Sequence, residues 1–201
     1  MYRHVYFDLY LHQEDELGAM LDSPISQRQV VQEWPLSCVQ CIITSDGRKL
    51  IYKAQHDPTV EPEFFANAKS ELLVTAQTVF RSGAYSAMLI EYIEGPTLSK
   101  MNPLPESLAV EIGGEILRRI SQIEGQLPYY LDVSAQEEWY DWMYKVLSAL
   151  RGLVVTGAFQ LVQAEELFRL ERLAFSNEVL ATFHTRIGYV RHDLAGDNVF
   201  V

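Results

Sequence analysis

The spacing of apolar residues changes once along the chain, near Pro96, and that single change demands two unlike parts. Before it lie short strands and turns. Cys38 to Thr44 is apolar and rich in β-branched residues, Asp46-Gly47 is a strong hairpin turn, and Leu50 to Ala54 reads as the returning strand. A proline-bearing loop, His56 to Pro62, follows. From Glu63 to about Ala76, Phe64, Ala68 and Leu72 recur every four residues and predict a helix, with Pro62 at its first turn. Thr78 to Arg81 and Ala87 to Ile93 read as strands about a Ser82-Gly83 turn. The result is a small sheet with one helix laid across it. Leu9, Leu17, Met20 and Leu21 are consistent with an N-terminal helix covering that lobe.

After Pro96 the pattern is helical. Leu108, Ile112, Ile116 and Ile120 mark one helix, entered after the breaker Asn102-Pro103-Leu104-Pro105 and ending near Gly125. Gly113-Gly114 inside it costs helix propensity and predicts a close packing contact. Further helices are expected over Glu137 to about Leu150 and over Val162 to His184, then a strand, a polar loop and a strand after Gly188. The fold class is therefore α+β, with a sheet-plus-helix lobe over 1–94 and a mostly helical lobe over 95–201.

With 201 residues, 48% of them hydrophobic and 21% charged, the chain is neither disordered nor fibrous. A net charge of −11 argues against nucleic acid or an anionic membrane as partner and is compatible with a cationic substrate. Arg3, His4 and Asp8 interrupt any apolar leader, and Arg151 with two glycines breaks the longest apolar stretch, Val146 to Val162. A cytoplasmic, soluble protein is expected. Cys38 and Cys41 have no further ligands nearby and sit three apart on a strand, facing opposite sides; they read as inert thiols. Trp139, Trp142 and Met143 could face a cationic amine, but their helical spacing reads as a core stripe. His184 and His192 lack companion ligands.

The residues that carry chemistry fall in a definite order. Lys53 ends a strand after the tight hairpin, and Glu71 lies on the following predicted helix, on the face expected to meet the sheet. A strand lysine held by a helix glutamate is the arrangement that places an ammonium on the α- and β-phosphates of ATP. Ala87 to Gly95 is an apolar strand running into a glycine-bearing connector. Asp193 and Asn198 lie five residues apart in a polar loop between apolar segments, a spacing suited to a base and a magnesium ligand.

Taken together, Cys38 to Val201 resembles the aminoglycoside phosphotransferase and choline kinase group, which has a two-lobed protein-kinase-like fold. The resemblance implies that Asp193 is the catalytic base and Asn198 a Mg2+ ligand. It implies that Lys53, held by Glu71, binds the phosphates of ATP. The backbone of Glu91 and Ile93 would read adenine, with Ile90 lining the pocket before the hinge. The substrate would be a small molecule with a hydroxyl acceptor. Arg191-His192-Asp193 replaces the usual His-Gly-Asp, Ala195-Gly196 lacks the usual polar helper, and Glu33 to Ser37 carries no glycine over the phosphates. The chain stops before the family's second metal-binding Asp, so the C-terminal lobe is expected to be incomplete and the activity low or absent. Two alternatives are a pseudokinase-type scaffold that binds nucleotide or partner without catalysis, and a helical interaction domain in which the Asp193–Asn198 spacing is accidental.

Overall fold

The computed structural model describes residues 1–100, 105–126, 128–129, 131–160 and 163–184. They fall into two compact units, one taking in Met1–Tyr130 and the other beginning at Leu131. The boundary expected at 94/95 rests on composition; by contact, the connector and the first helix after it belong with the sheet. Among the described residues no helix is long and apolar enough to cross a membrane.

The first unit opens with two short paired strands, β1 (Tyr2–Arg3) and β2 (Tyr10–Leu11), and helix α1 (Glu14–Leu21). Then come β3 (Ile25–Trp34), β4 (Ser37–Thr44), β5 (Lys49–His56), α2 (Glu61–Asn67), β6 (Ala76–Ser82), β7 (Tyr85–Glu91) and α3 (Glu106–Ile120). The five longer strands form one antiparallel sheet in the order β3-β4-β5-β7-β6. Gly47 and Gly83 make the two tight hairpins possible, since both hold the positive φ that side chains resist, 86° and 57°. Helix α2 carries the chain from β5 to the edge position of β6, and β7 then inserts between them.

Alternation along the strands decides which face is core. Cys38, Ile42, Tyr52, Ala54, Ala87 and Leu89 point to one side and close over Leu9, Leu11 and Leu17 from the N-terminal arm. The arm thus covers the sheet as expected, although only its second half is helical. Strand β3 is unanticipated in the sequence. It is the sheet edge, Ile25 to Trp34 is rich in Gln and charge, and most of its side chains are exposed, so it has no buried face to impose alternation.

The predicted helix from Glu63 to Ala76 is shorter and starts earlier. Its C-cap Ala68 is extended, and Lys69 exchanges two backbone hydrogen bonds with Glu124, at 2.8 and 3.1 Å. This pairing with the segment after α3 overrides the apolar stripe. The close contact expected at Gly113-Gly114 is not there: a Cβ at either glycine meets nothing within 4 Å. Gly114→Ala is therefore expected to stabilise the chain by about 0.5–1 kcal/mol in urea unfolding, since only helix propensity changes.

In the second unit α4 (Gln136–Val155) packs on α5 (Ala164–Ala174), followed by α6 (Asn177–Ala181). Met143, Leu147, Leu167 and Ala174 form its core with Trp139 and Trp142 against them, the stripe the sequence predicts. Trp139 Nε1 donates to the Ala174 carbonyl at 2.9 Å. The single helix predicted for Val162 to His184 is broken because Ser176 caps a new one, its hydroxyl accepting from the Val179 amide.

Candidate functional site

The face of the sheet opposite the core is the chemically distinctive one. Lys53 stands mid-way along β5, paired with Val39 on β4 and Met88 on β7. Two residues earlier Ile51 pairs with Cys41 and Ile90. Directly paired residues and those two apart share a face, so Lys53 projects among four apolar side chains, Val39, Ile51, Met88 and Ile90, and the Cys41 thiol. Apart from Met88 these side chains are only half-buried. Such a surface suits a flat apolar group joined to an anion.

Lys53 Nζ lies 2.6 Å from both carboxylate oxygens of Glu61. Glu61 is the first residue of α2, where the helix dipole favours a carboxylate. Its amide is held by Thr59 Oγ1 at 3.3 Å, and that hydroxyl donates to Gln55 Oε1 at 3.2 Å. The lysine side chain is 20% exposed and Glu61 41%, so the pair contributes at most about 1 kcal/mol to stability and mainly orients the ammonium.

The expected partner, Glu71, does not hold Lys53. It sits exposed in the turn after α2, because that helix has already ended at Asn67. The readable clue to Glu61 is Pro62, which marks a first helical turn that begins one residue before it.

Of the predicted base-reading segment, Ile90 shares the lysine face. Glu91 ends β7; its N–H donates to the Thr75 carbonyl at 2.8 Å and its carboxylate accepts the Thr75 N–H at 3.0 Å. Ile93 follows, half-buried. Asp193 and Asn198, the predicted base and Mg2+ ligand, lie outside the described residues.

The turn between β3 and β4, Pro35-Leu36, is tight and folds toward the end of β5, where His56 N–H donates to the Leu36 carbonyl at 3.0 Å. Ser37 and Ser86 flank Gln55 one pleat from Lys53. Both hydroxyls are buried and have no hydrogen-bond partner among the described residues.

One cluster has the composition of a metal site without its chemistry. His4, Glu33 and Cys38 bring ligand atoms within 4.8 Å of one another. However, His4 Nδ1 accepts the amides of Tyr6 and Phe7, at 3.2 and 3.1 Å, so the ring hydrogen sits on Nε2 and points to Glu33 at 3.3 Å. That nitrogen has no free lone pair, and burial pushes the Cys38 thiol up, away from thiolate. The cluster is a polar staple for the N-terminal loop. Compared with known families and with curated proteins, the sequence matches neither a family model nor a curated relative.

Proposed function

We propose that this chain is an ATP- and Mg2+-dependent phosphotransferase of small molecules, aminoglycoside phosphotransferase- or choline kinase-like, built on a two-lobed protein-kinase-like fold. The observation that carries the reading is Lys53, on the third strand of the five-stranded sheet, clasped by the carboxylate of Glu61 on the helix that follows. Kinase catalysis uses a strand lysine and helix glutamate in this way to seat the α- and β-phosphates. Asp193 takes the proton of the acceptor hydroxyl, and Asn198 supplies an amide oxygen to magnesium. When bound, magnesium and ATP supply the transferable phosphoryl group. The acidic balance of the chain favours acceptors that carry a positive charge.

Calorimetric titration of the full chain with ATP and with adenosine tests this. Lys53→Met is expected to weaken ATP about tenfold or more, since it removes a charge-assisted phosphate contact, and to leave adenosine unchanged. A wild-type chain that binds neither, or a variant that binds ATP equally well, overturns the proposal. The glycine-free turn Trp34 to Ser37 favours a second reading, a nucleotide-binding scaffold without catalysis. ATP binding with no transfer to aminoglycoside, choline-like, sugar or amino-alcohol hydroxyls selects it.

A further inference from the structure

Beyond the Lys53–Glu61 pair, a second lysine on the same strand is committed to the connector that leaves the sheet. Lys49 opens β5, four residues before Lys53 and on the same face, about 13 Å away along the strand. Its ammonium sits 3.8 Å from the centre of the Tyr92 ring and 3.9 Å from Glu94 Oε1. On its other side, the connector is clasped at Glu91 by Thr75 through two hydrogen bonds. Residues 91–94 are thus pinned from two directions, once by Thr75 through the backbone and carboxylate of Glu91 and once by a cation on an aromatic face. Ile51, between the two lysines and flanked by Cys41 and Ile90, supplies the apolar span.

We propose that Lys49 is a positioning residue for base selection: by holding Tyr92 and Glu94 it fixes where the Glu91 carbonyl and the Ile93 amide meet the edge of a purine. This rests on the nucleotide reading above and adds to it a division of labour. Lys53 serves the phosphates and Lys49 the base. A cation over a tyrosine face is a directional contact, so its loss frees the connector without emptying the core.

The test titrates the full chain with adenosine, ATP and GTP. Lys49→Met is expected to weaken adenosine and ATP by the same factor, about fivefold to twentyfold, and to narrow the ratio between ATP and GTP. Lys49→Arg, which keeps the cation over the ring, is expected to restore both affinity and ratio. Tyr92→Leu, which leaves Lys49 in place, should reproduce the loss. A purely structural role would lower the melting temperature and leave the ATP-to-GTP ratio unmoved, and that result overturns the proposal. Unchanged adenosine affinity in Lys49→Met, with ATP still lost in Lys53→Met, overturns it alone and leaves the phosphotransferase reading standing. A wild-type chain that binds no nucleotide overturns both.

Discussion

Gly125→Ala is expected to destabilise the first unit by about 2–4 kcal/mol, because the new methyl group would meet backbone. Gly125 holds φ at +123°, a backbone that L side chains rarely adopt. A Cβ there would lie 2.1 Å from the carbonyl oxygen of Asn67 and 3.0 Å from its carbonyl carbon. Those are backbone atoms at the end of α2, so relief requires moving either that helix end or the segment after α3. Either movement pulls apart the paired hydrogen bonds between Lys69 and Glu124. Guanidinium unfolding should show the loss, and hydrogen exchange should show the Lys69 amide losing protection beyond the global change. The Gly114→Ala variant, which meets open space, provides the control. A loss below about 1 kcal/mol at Gly125 would mean that the close approach is not maintained in solution.

The same contact explains where the sequence is readable and where it is not. Strands β4 and β5 are legible because their alternation answers to a buried face and Asp46-Gly47 joins them; β6 and β7 are legible from the Gly83 turn between two apolar segments. The end of α2 is illegible because it is set by Glu124, more than fifty residues away, against a local stripe that favours continuing. Edge strand β3 is illegible because Gln, Arg and Glu fill its exposed positions and no glycine turn marks its end, whereas the other edge strand, β6, is flagged by Gly83. Lys53 stands out because a lysine directly after Leu50, Ile51 and Tyr52 invites a reason. Its partner does not, since Glu61, Glu63 and Glu71 are all plausible until the helix start is known. Nothing local distinguishes Lys49 either; its role depends on Tyr92 lying against the strand that starts with it.

Acidification from pH 7.5 to 5 is expected to destabilise the first unit through His12, by up to about 1.4 kcal/mol per pH unit. His12 lies in the arm that covers the core, between β2 and α1, and is 3% exposed. Its backbone N–H and its Nδ1 both lie 3.0 Å from the Tyr52 hydroxyl. The hydroxyl oxygen accepts the backbone N–H, and a neutral imidazole with Nδ1 unprotonated gives the hydroxyl hydrogen its acceptor. Burial pushes the Tyr52 phenol up to about 12, so it remains a donor throughout this range. Arg28 closes the arrangement, donating to the His12 carbonyl at 2.8 Å and lying 5.4 Å over the Tyr52 ring. A proton on Nδ1 would turn a second donor toward the hydroxyl and place an imidazolium near Arg28 and the amino terminus, with Glu16 the one opposing charge. His12 is accordingly lowered from 6.5, by burial first. A lowered folded value means that the unfolded chain binds the proton more readily. The stabilisation is therefore whole above about pH 6.5 and drains away as the pH falls toward the folded value. Asp46 and Glu115, held down at about 2 by Thr44 and by Arg118 with Arg119, start to give up their share as the pH falls through their unfolded values of 3.8 and 4.5, below the range of this titration. His12→Asn, whose amide oxygen can take the place of Nδ1 without titrating, should flatten the profile between pH 7.5 and 5. Tyr52→Phe should cost about 1–3 kcal/mol at pH 7.5 by stranding the His12 amide. A wild-type profile that is already flat, or a slope that survives in His12→Asn, would remove His12 as the cause.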